Sequence, residues 1–420
     1  MIWKLAWRSF LRHKRRSIIT AAAISLGLAM MIIFVGVGDD GHIRMAKMGI
    51  RMGSGHIVIQ GKGYQQEQTL DYLITDPARL IEIAGKIQSI VHIVPRVKTG
   101  GLISSGEHSS AVMIVGVDPK IEKQASDIPS DRKRIAGKYL RSREEMSHPN
   151  DPADIYIGAG LAKNLNVELG DRVVITASPK GKGRPASAAF HVRGVFRSGI
   201  SELDSFYAEI PLLEAQELLN LGKQVSQVAL ILQNIEETLP ITAFIKKQLG
   251  ENKGLEILSW QEALKELYDA IVLDDASLYF MMAIIFVIVA LGIFNTVFMS
   301  VLERTRQFGV MMALGTAPRH LFATVMTESF ILAIVGAVVG LCIGLGLHFW
   351  VATVGIDVTA LTGGGYEFAG INFEGMIYSH LTTWVVIKWT LVVIGIVVAS
   401  ALYPALRAAS RKPVEAMRHV

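Results

Sequence analysis

Residues 300–321 read SVLERTRQFGVMMALGTAPRHL. The stretch lies between two long apolar runs, so its arginines, Arg304, Arg306 and Arg319, bear on how those runs thread a bilayer. Short cytoplasmic loops carry an excess of Lys and Arg. A helix needs about 20 consecutive apolar residues to cross the hydrocarbon core. Four segments meet that length: 17–38, 276–302, 321–351 and 384–406. The third is long enough to tilt or to project beyond the lipid.

The flanks agree with one orientation. Lys4, Arg8, Arg12, Lys14, Arg15 and Arg16 crowd residues 1–16, with no acid among them. Residues 407–420 hold Arg407, Arg411, Lys412 and Arg418. The 352–383 segment has Asp357, Glu367 and Glu374 and no Lys or Arg. These biases predict both termini and the 303–320 loop in the cytoplasm, with 352–383 and 39–275 outside. The first apolar run exceeds the ~7–15 residues of a signal-peptide core, and Gly38-Asp39-Asp40-Gly41 follows it rather than a small-x-small site. It reads as a retained anchor. Residues 1–16 put Trp3, Ala6, Trp7, Phe10 and Leu11 on one helical face, which suits a helix lying in the headgroup region.

The chain has 420 residues, of which 51% are hydrophobic and 19% charged, with a net charge of +5. Apolar blocks beside an ordinary polar domain explain those figures, and nucleic acid need not be invoked for so small a charge. Cys342 is the single cysteine and sits in an apolar run, which excludes an internal disulfide and a Cys-rich metal site. No G-x-x-x-x-G-K-[ST] occurs, so the sequence carries no P-loop. His42 and His56 stand fourteen apart without a metal-binding motif and read as surface histidines.

Residues 39–275 read as a mixed α+β domain. GHIVIQG (55–61), SSAVMIVGV (109–117), DRVVITAS (171–178), FHVRGVF (190–196) and VSQVALILQ (225–233) are strand-like. DPARLIEIAGKIQSI (76–90), GAGLAKNLNV (158–167), LLEAQELLNL (212–221) and LPITAFIKKQLG (239–250) have helical spacing, with Asp76 as a start and Asn220 or Gly250 as ends. Segment 120–152 is polar and proline-bearing and reads as an insertion or mobile arm.

Six segments in order resemble the MacB/FtsX-like permeases of ABC transporters: LAWRSFLRHKRRSIIT (5–20), GSGHIVIQGKGY (53–64), IGAGLAKNLNVELGDRVVI (157–175), VRGVFRSGISELDSFYAEIPLLEAQELL (192–219), ERTRQFGVMMALG (303–315) and YPALRAASRKPVEAMR (403–418). The fourth is most similar to the lipoprotein-releasing branch. The resemblance spans essentially the whole chain. It implies an α-helical membrane protein with four transmembrane helices and a large mixed α+β periplasmic domain, a type VII ABC permease. It further implies a bacterial inner-membrane location. Where the family often has Glu and Ile, this loop has Gln307 and Phe308.

In such permeases the loop after the second span docks on a separate cytoplasmic ABC ATPase, which binds ATP and Mg; the permease holds no cofactor and is not itself an enzyme. The positions matched here are Glu303, Arg304, Arg306, Gln307, Phe308, Gly309, Met312, Ala313, Leu314 and Gly315. Phe308, Val310, Met311, Met312 and Leu314 offer apolar anchors, Arg304 and Arg306 offer charge, and Gly309 and Gly315 allow close approach or turns. The work would release a lipoprotein from the membrane to a periplasmic carrier, with a second permease copy or a paralogue completing the dimer. The alternatives are MacB-like export of peptides or drugs with an adaptor, and FtsX-like control of a cell-wall hydrolase.

Other residues bear on mechanism. Gly336, Gly340 and Gly344, like Ala23 and Gly27, have the small-xxx-small spacing of closely packed membrane helices. Glu328 lies within the third span, where an ionisable group needs a partner. Asn295 and Thr296 are candidate interhelical hydrogen-bond groups, and Lys388 snorkels. Met45, Met48, Met52, Ile271, Leu278, Phe280, Met281 and Met282 flank the first two spans and could either receive acyl chains or pack helix extensions together.

Overall fold

The computed structural model describes residues 14–145, 152–181, 183–249, 254–357, 360, 366–368, 371–373 and 376–410. The amphipathic N-terminal segment (residues 1–13) and most of the basic tail lie outside them. Two compact units divide the chain after His42 and before Val272, with residues 359–374 assigned to the second unit.

The helical unit is built from α1 (Lys14–Gly49) as far as His42, α2 (Lys265–Glu303) from Val272 on, α3 (Thr305–Ala313), α4 (Pro318–Val354) and α5 (Thr383–Ala409). Four of these are long and apolar enough to cross a membrane. At 1.5 Å per residue the 36 residues of α1 and 39 of α2 give lengths of about 54 and 58 Å, well beyond the ~30 Å hydrocarbon core. The spans read from hydropathy are the apolar middles of these longer helices. Ile24, Leu28 and Ile32 of α1 pack with Ile293 and Val297 of α2, Ala333 and Ala337 of α4, and Val393 and Val397 of α5. Large apolar groups on the outer faces, such as Leu26, Val287, Leu291, Phe349 and Trp350, are exposed, as a lipid-facing surface requires.

Among the described residues, the main sheet of the α+β unit has ten strands: β1 (Ile57–Gly61), β2 (Ile90–Ser105), β3 (His108–Val117), β4 (Arg134–Gly137), β5 (Ala153–Gly158), β6 (Arg172–Ala177), β7 (Ala186–Phe196), β8 (Tyr207–Pro211), β9 (Gln227–Leu232) and β10 (Leu255–Ser259). The order is β10-β1-β9-β2-β3-β8-β5-β7-β4, with β6 bridging β2 and β7. Most pairs are antiparallel; β3–β8 and β5–β7 are parallel. One face buries Ile59, Val97, Ile114, Val228 and Ile210 in the main core. Asp76 caps the helix Pro77–Ala84, accepting from Arg79 N at 3.2 Å.

Segment 120–145 is not an arm. Pro119–Ala125 is a helix capped by Asp118, and Glu122 is fully buried on Arg96. Ile128, Tyr139 and Leu140 join the cluster of Tyr156, Phe196 and Tyr207. The polar composition that suggested mobility reflects a buried ion pair and its caps. Residues 146–151 fall outside the described part.

Where α1 ends, Ile50–Ser54 forms a π-helical turn that Gly53 closes at φ +105°. Only glycine takes that conformation without strain. Its carbonyl accepts from Arg96 Nη1 at 2.7 Å and Lys98 Nζ at 3.0 Å.

Candidate functional site

The 303–320 loop folds as the short helix α3 followed by a glycine turn. Gly315 N donates to Met312 O and Thr316 N to Met311 O, each at 3.0 Å, and Gly315 sits at φ +94°. That pair of bonds is a Schellman stop. Pro318 then opens α4 at its first turn, where its missing N–H costs nothing.

Helical geometry splits α3 into two faces. Phe308 is 3% exposed and packs in the helical unit's core, with Met311 and Met312 half-buried against it and Gly309 buried. Phe308, Met311 and Met312, three of the expected anchors, pack on α3's own helices. Arg306, Gln307, Val310, Ala313 and Leu314 form the outer face, and Leu314 is 82% exposed. Gly315 is also exposed.

The charges divide likewise. Arg304 donates to Glu328 at 2.9 Å, and its guanidinium lies 5.2 Å from the Phe308 ring centroid. Glu303 accepts from Arg16 at 3.3 Å. So Arg304, read as a partner-facing cation, and Glu328, read as a span residue, are one ion pair inside the unit. Arg306 on α3 and Arg319 beyond the turn are the exposed cations of the loop.

Gly336, Gly340 and Gly344 line the α4 face that receives α1. A Cβ on Gly340 would stand 2.9 Å from the Ser25 carbonyl; one on Gly336 would meet Ile24 at 2.7 Å, and one on Gly344 would meet Ile32 at 2.8 Å. Ser25 Oγ also donates to Gly336 O at 2.9 Å, a bond between α1 and α4. Gly27 faces Val289 of α2, whereas Ala23 is exposed. Asn295 is exposed, and the Thr296 hydroxyl bonds to Gly292 O in its own helix, so neither links helices among the described residues. Lys388 lies over the rings of Trp389 and Tyr279, at 5.0 and 5.7 Å.

The acyl-chain candidates separate by burial. Met45, Met52 and Ile271 are buried in the α+β unit, with Met48 packed against them. Met282 is buried with Met31 and Val35 in the helical unit, where Leu278 packs against it. These six are packed within the chain. Phe280 and Met281 are exposed. His42 is half-buried and bonds to Asp274 at 2.8 Å and Asp275 at 3.3 Å. His56 is buried, accepts from Leu232 N, and is pushed down to about 4 by burial and by Arg51. Neither is the surface histidine expected, and no metal-holding group of His, Cys, Asp and Glu exists among the described residues.

Comparison with known proteins decides the family. Residues 17–240 match the MacB-like periplasmic core domain, and residues 279–413 match the FtsX-like permease C-terminal region. The chain belongs to the MacB/FtsX-like permeases. It is an ABC transporter permease with transmembrane helices and a MacB-like periplasmic core. The permease is 23% identical to the lipoprotein-releasing system transmembrane protein LolC of Neisseria meningitidis serogroup B, across 98% of its own length and 97% of that protein. It is 21% identical to LolE of the same kind of system in Haemophilus influenzae, across 98% of each chain. It is also 21% identical to the macrolide export ATP-binding/permease protein MacB of Bdellovibrio bacteriovorus, across 97% of its own length and 60% of that protein.

Proposed function

We propose that this permease is the membrane subunit of a lipoprotein-releasing transporter driven by a separate ABC ATPase. The observation that carries the cargo is full-length similarity to LolC and LolE, proteins named for lipoprotein release. The energy source binds ATP and Mg outside this sequence, which has no P-loop. Work therefore enters through a cytosolic contact.

The outer face of α3 is that contact. Val310 and Leu314 are its apolar anchors, with Arg306 and Gln307 beside them, in the manner of an amphipathic helix gripped by a groove. Phe308 and the Arg304–Glu328 pair fix α3 to the helix bundle, so that displacement of α3 moves α2 and α4. The orientation is that of a bacterial inner-membrane protein with cytoplasmic termini. A second permease, identical or paralogous, faces this one, and a periplasmic carrier receives the cargo. Each buried methylene of a lipid anchor is worth ~0.8 kcal/mol, so extraction of a multi-chain anchor needs such an energy source.

A second reading is export of a macrolide-like or peptide cargo, favoured by the similarity to MacB. Depletion of the protein in its own host separates the two. Retention of mature lipoproteins in the inner membrane supports release. Unchanged lipoprotein sorting together with new macrolide sensitivity supports export.

A further inference from the structure

The second face of the α+β sheet carries donors that packing does not use up. Residues paired across strands share a face. The register therefore sets Gln60, Gln227 and Arg96 in one row, and Lys98, Val115 and Glu209 in the next. The Pro119–Ala125 helix covers part of this face through Glu122. Another part opens into a cleft of about 780 Å³, large enough for a small amphiphile. Met113, Leu203, Phe206 and Leu267 give it apolar walls.

Two donors face this space. Gln227 is 4% exposed, and its Nε2 has no hydrogen-bond partner. The Lys98 ammonium gives one hydrogen bond, to Gly53 O, and forms no ion pair among the described residues. The charges around Lys98 are Arg96, Glu122 and Glu209 on the sheet side, with Glu202 and Glu266 on the cleft wall. Arg96 is fully occupied: Nε and Nη2 bind Glu122 at 2.9 and 2.6 Å. Glu209, held by Tyr139 at 2.7 Å and Tyr207 at 3.2 Å, is pushed well above the ordinary carboxylate range by burial and by Glu122. Burial and Arg96 push Lys98 down to about 7. Below that pH the cleft floor holds the Lys98 cation, which has no ion-pair partner among the described residues, beside an idle amide donor. Both want acceptor oxygens, because a buried donor without one loses its water for nothing.

We propose that this cleft binds an amphiphile with one apolar chain and an oxyanion head, the head on Lys98 and Gln227 and the chain against Met113, Leu203 and Phe206. A carboxylate and a phosphate monoester share this chemistry. The inference stands apart from the lipoprotein reading, because ester- and amide-linked acyl groups carry no oxyanion.

The test is equilibrium binding of 11-(dansylamino)undecanoate and of its methyl ester to the full-length protein in detergent. The acid binds about tenfold more tightly than the ester at pH 6, and loses about that factor by pH 8.5 as Lys98 discharges. Lys98→Met abolishes the preference for the acid, Lys98→Arg keeps it at pH 8.5, and Gln227→Leu weakens it. Displacement by oleate assigns the head as a carboxylate, and displacement by 1-oleoyl-lysophosphatidate as a phosphate. Equal binding of acid and ester, an unaltered Lys98→Met protein, or failure of both competitors overturns the proposal. Should Lys98→Met not fold, the acid–ester comparison on the unaltered protein and the Lys98→Arg result at pH 8.5 decide alone.

Discussion

Arg304 and Glu328 form an ion pair at 2.9 Å, with side chains 18% and 17% exposed, joining the entry of α3 to the third turn of α4. An acid in a membrane helix is costly unless paired. Removing one partner strands the other. Arg304→Ala and Glu328→Ala should each destabilise the helical unit by about 1–3 kcal/mol, and Arg304→Glu combined with Glu328→Arg should recover most of it. Thermal unfolding of the full-length protein in detergent measures this. Single variants as stable as the starting protein would mean that the pair does not hold α3.

The two faces of α3 predict two phenotypes. Leu314→Asp and Arg306→Glu alter exposed groups, so folding is unchanged within about 0.5 kcal/mol, while co-purification with the ATPase is lost. Phe308→Ala empties a packed position and costs about 3–5 kcal/mol of stability. Reading melting temperature and ATPase recovery on the same preparations separates these effects.

Gly340 meets the backbone of α1, not a flexible side chain tip, so the neighbour has nowhere to yield. Gly340→Ala should weaken α1–α4 packing by about 1–3 kcal/mol, and Gly340→Leu should prevent assembly of the bundle. Gly346, with open space at its Cβ position, is the control: Gly346→Ala leaves thermal stability unchanged or slightly raised.

Glu209 gives the α+β unit a pH dependence. Its folded value of about 8 lies above the ordinary carboxylate range, so between about 4.5 and 8 the folded protein binds a proton that the unfolded chain releases. The stability this contributes is present at low pH and is lost as pH rises through 8. Lys98, lowered to about 7, has the opposite sign: from about 7 to 10.5 the unfolded chain binds the extra proton, and stability rises with pH. His56, lowered to about 4, opposes Glu209 between about pH 4 and 6.5, so the Glu209 contribution is read as a difference. The melting temperature of the protein minus that of Glu209→Gln should fall as pH rises from 5 to 8, and the rise above pH 8 should persist in the variant.

Most of the architecture was legible because it rests on patterns that are local in sequence. Twenty-residue apolar runs and one-sided Lys/Arg flanks announce spans, and Asp76 announces a helix start through its cap. Strand β2 was missed, since Pro95, Arg96 and Gly100-Gly101 break its pattern. The register explains the tolerance: Pro95 pairs with Val228 on β9, while the β3 ladder begins one residue later at Arg96. Arg96 and Glu122 stand twenty-six residues apart, and only the fold brings them together in the interior. The loop was legible as amphipathic, but which face it shows was not. Arg304 turns inward only because Glu328 waits on the next helix, a pairing that no property of the loop itself announces.

The account rests on α3 passing work from a nucleotide-hydrolysing partner to the bundle. Its most direct test is to place p-benzoylphenylalanine at Leu314 in the full-length protein, irradiate intact cells of its host, and identify the adduct by mass spectrometry. The account predicts a single main adduct with an ABC ATPase subunit, absent when the same group replaces the buried Phe308. An adduct from position 314 with a periplasmic protein would contradict it.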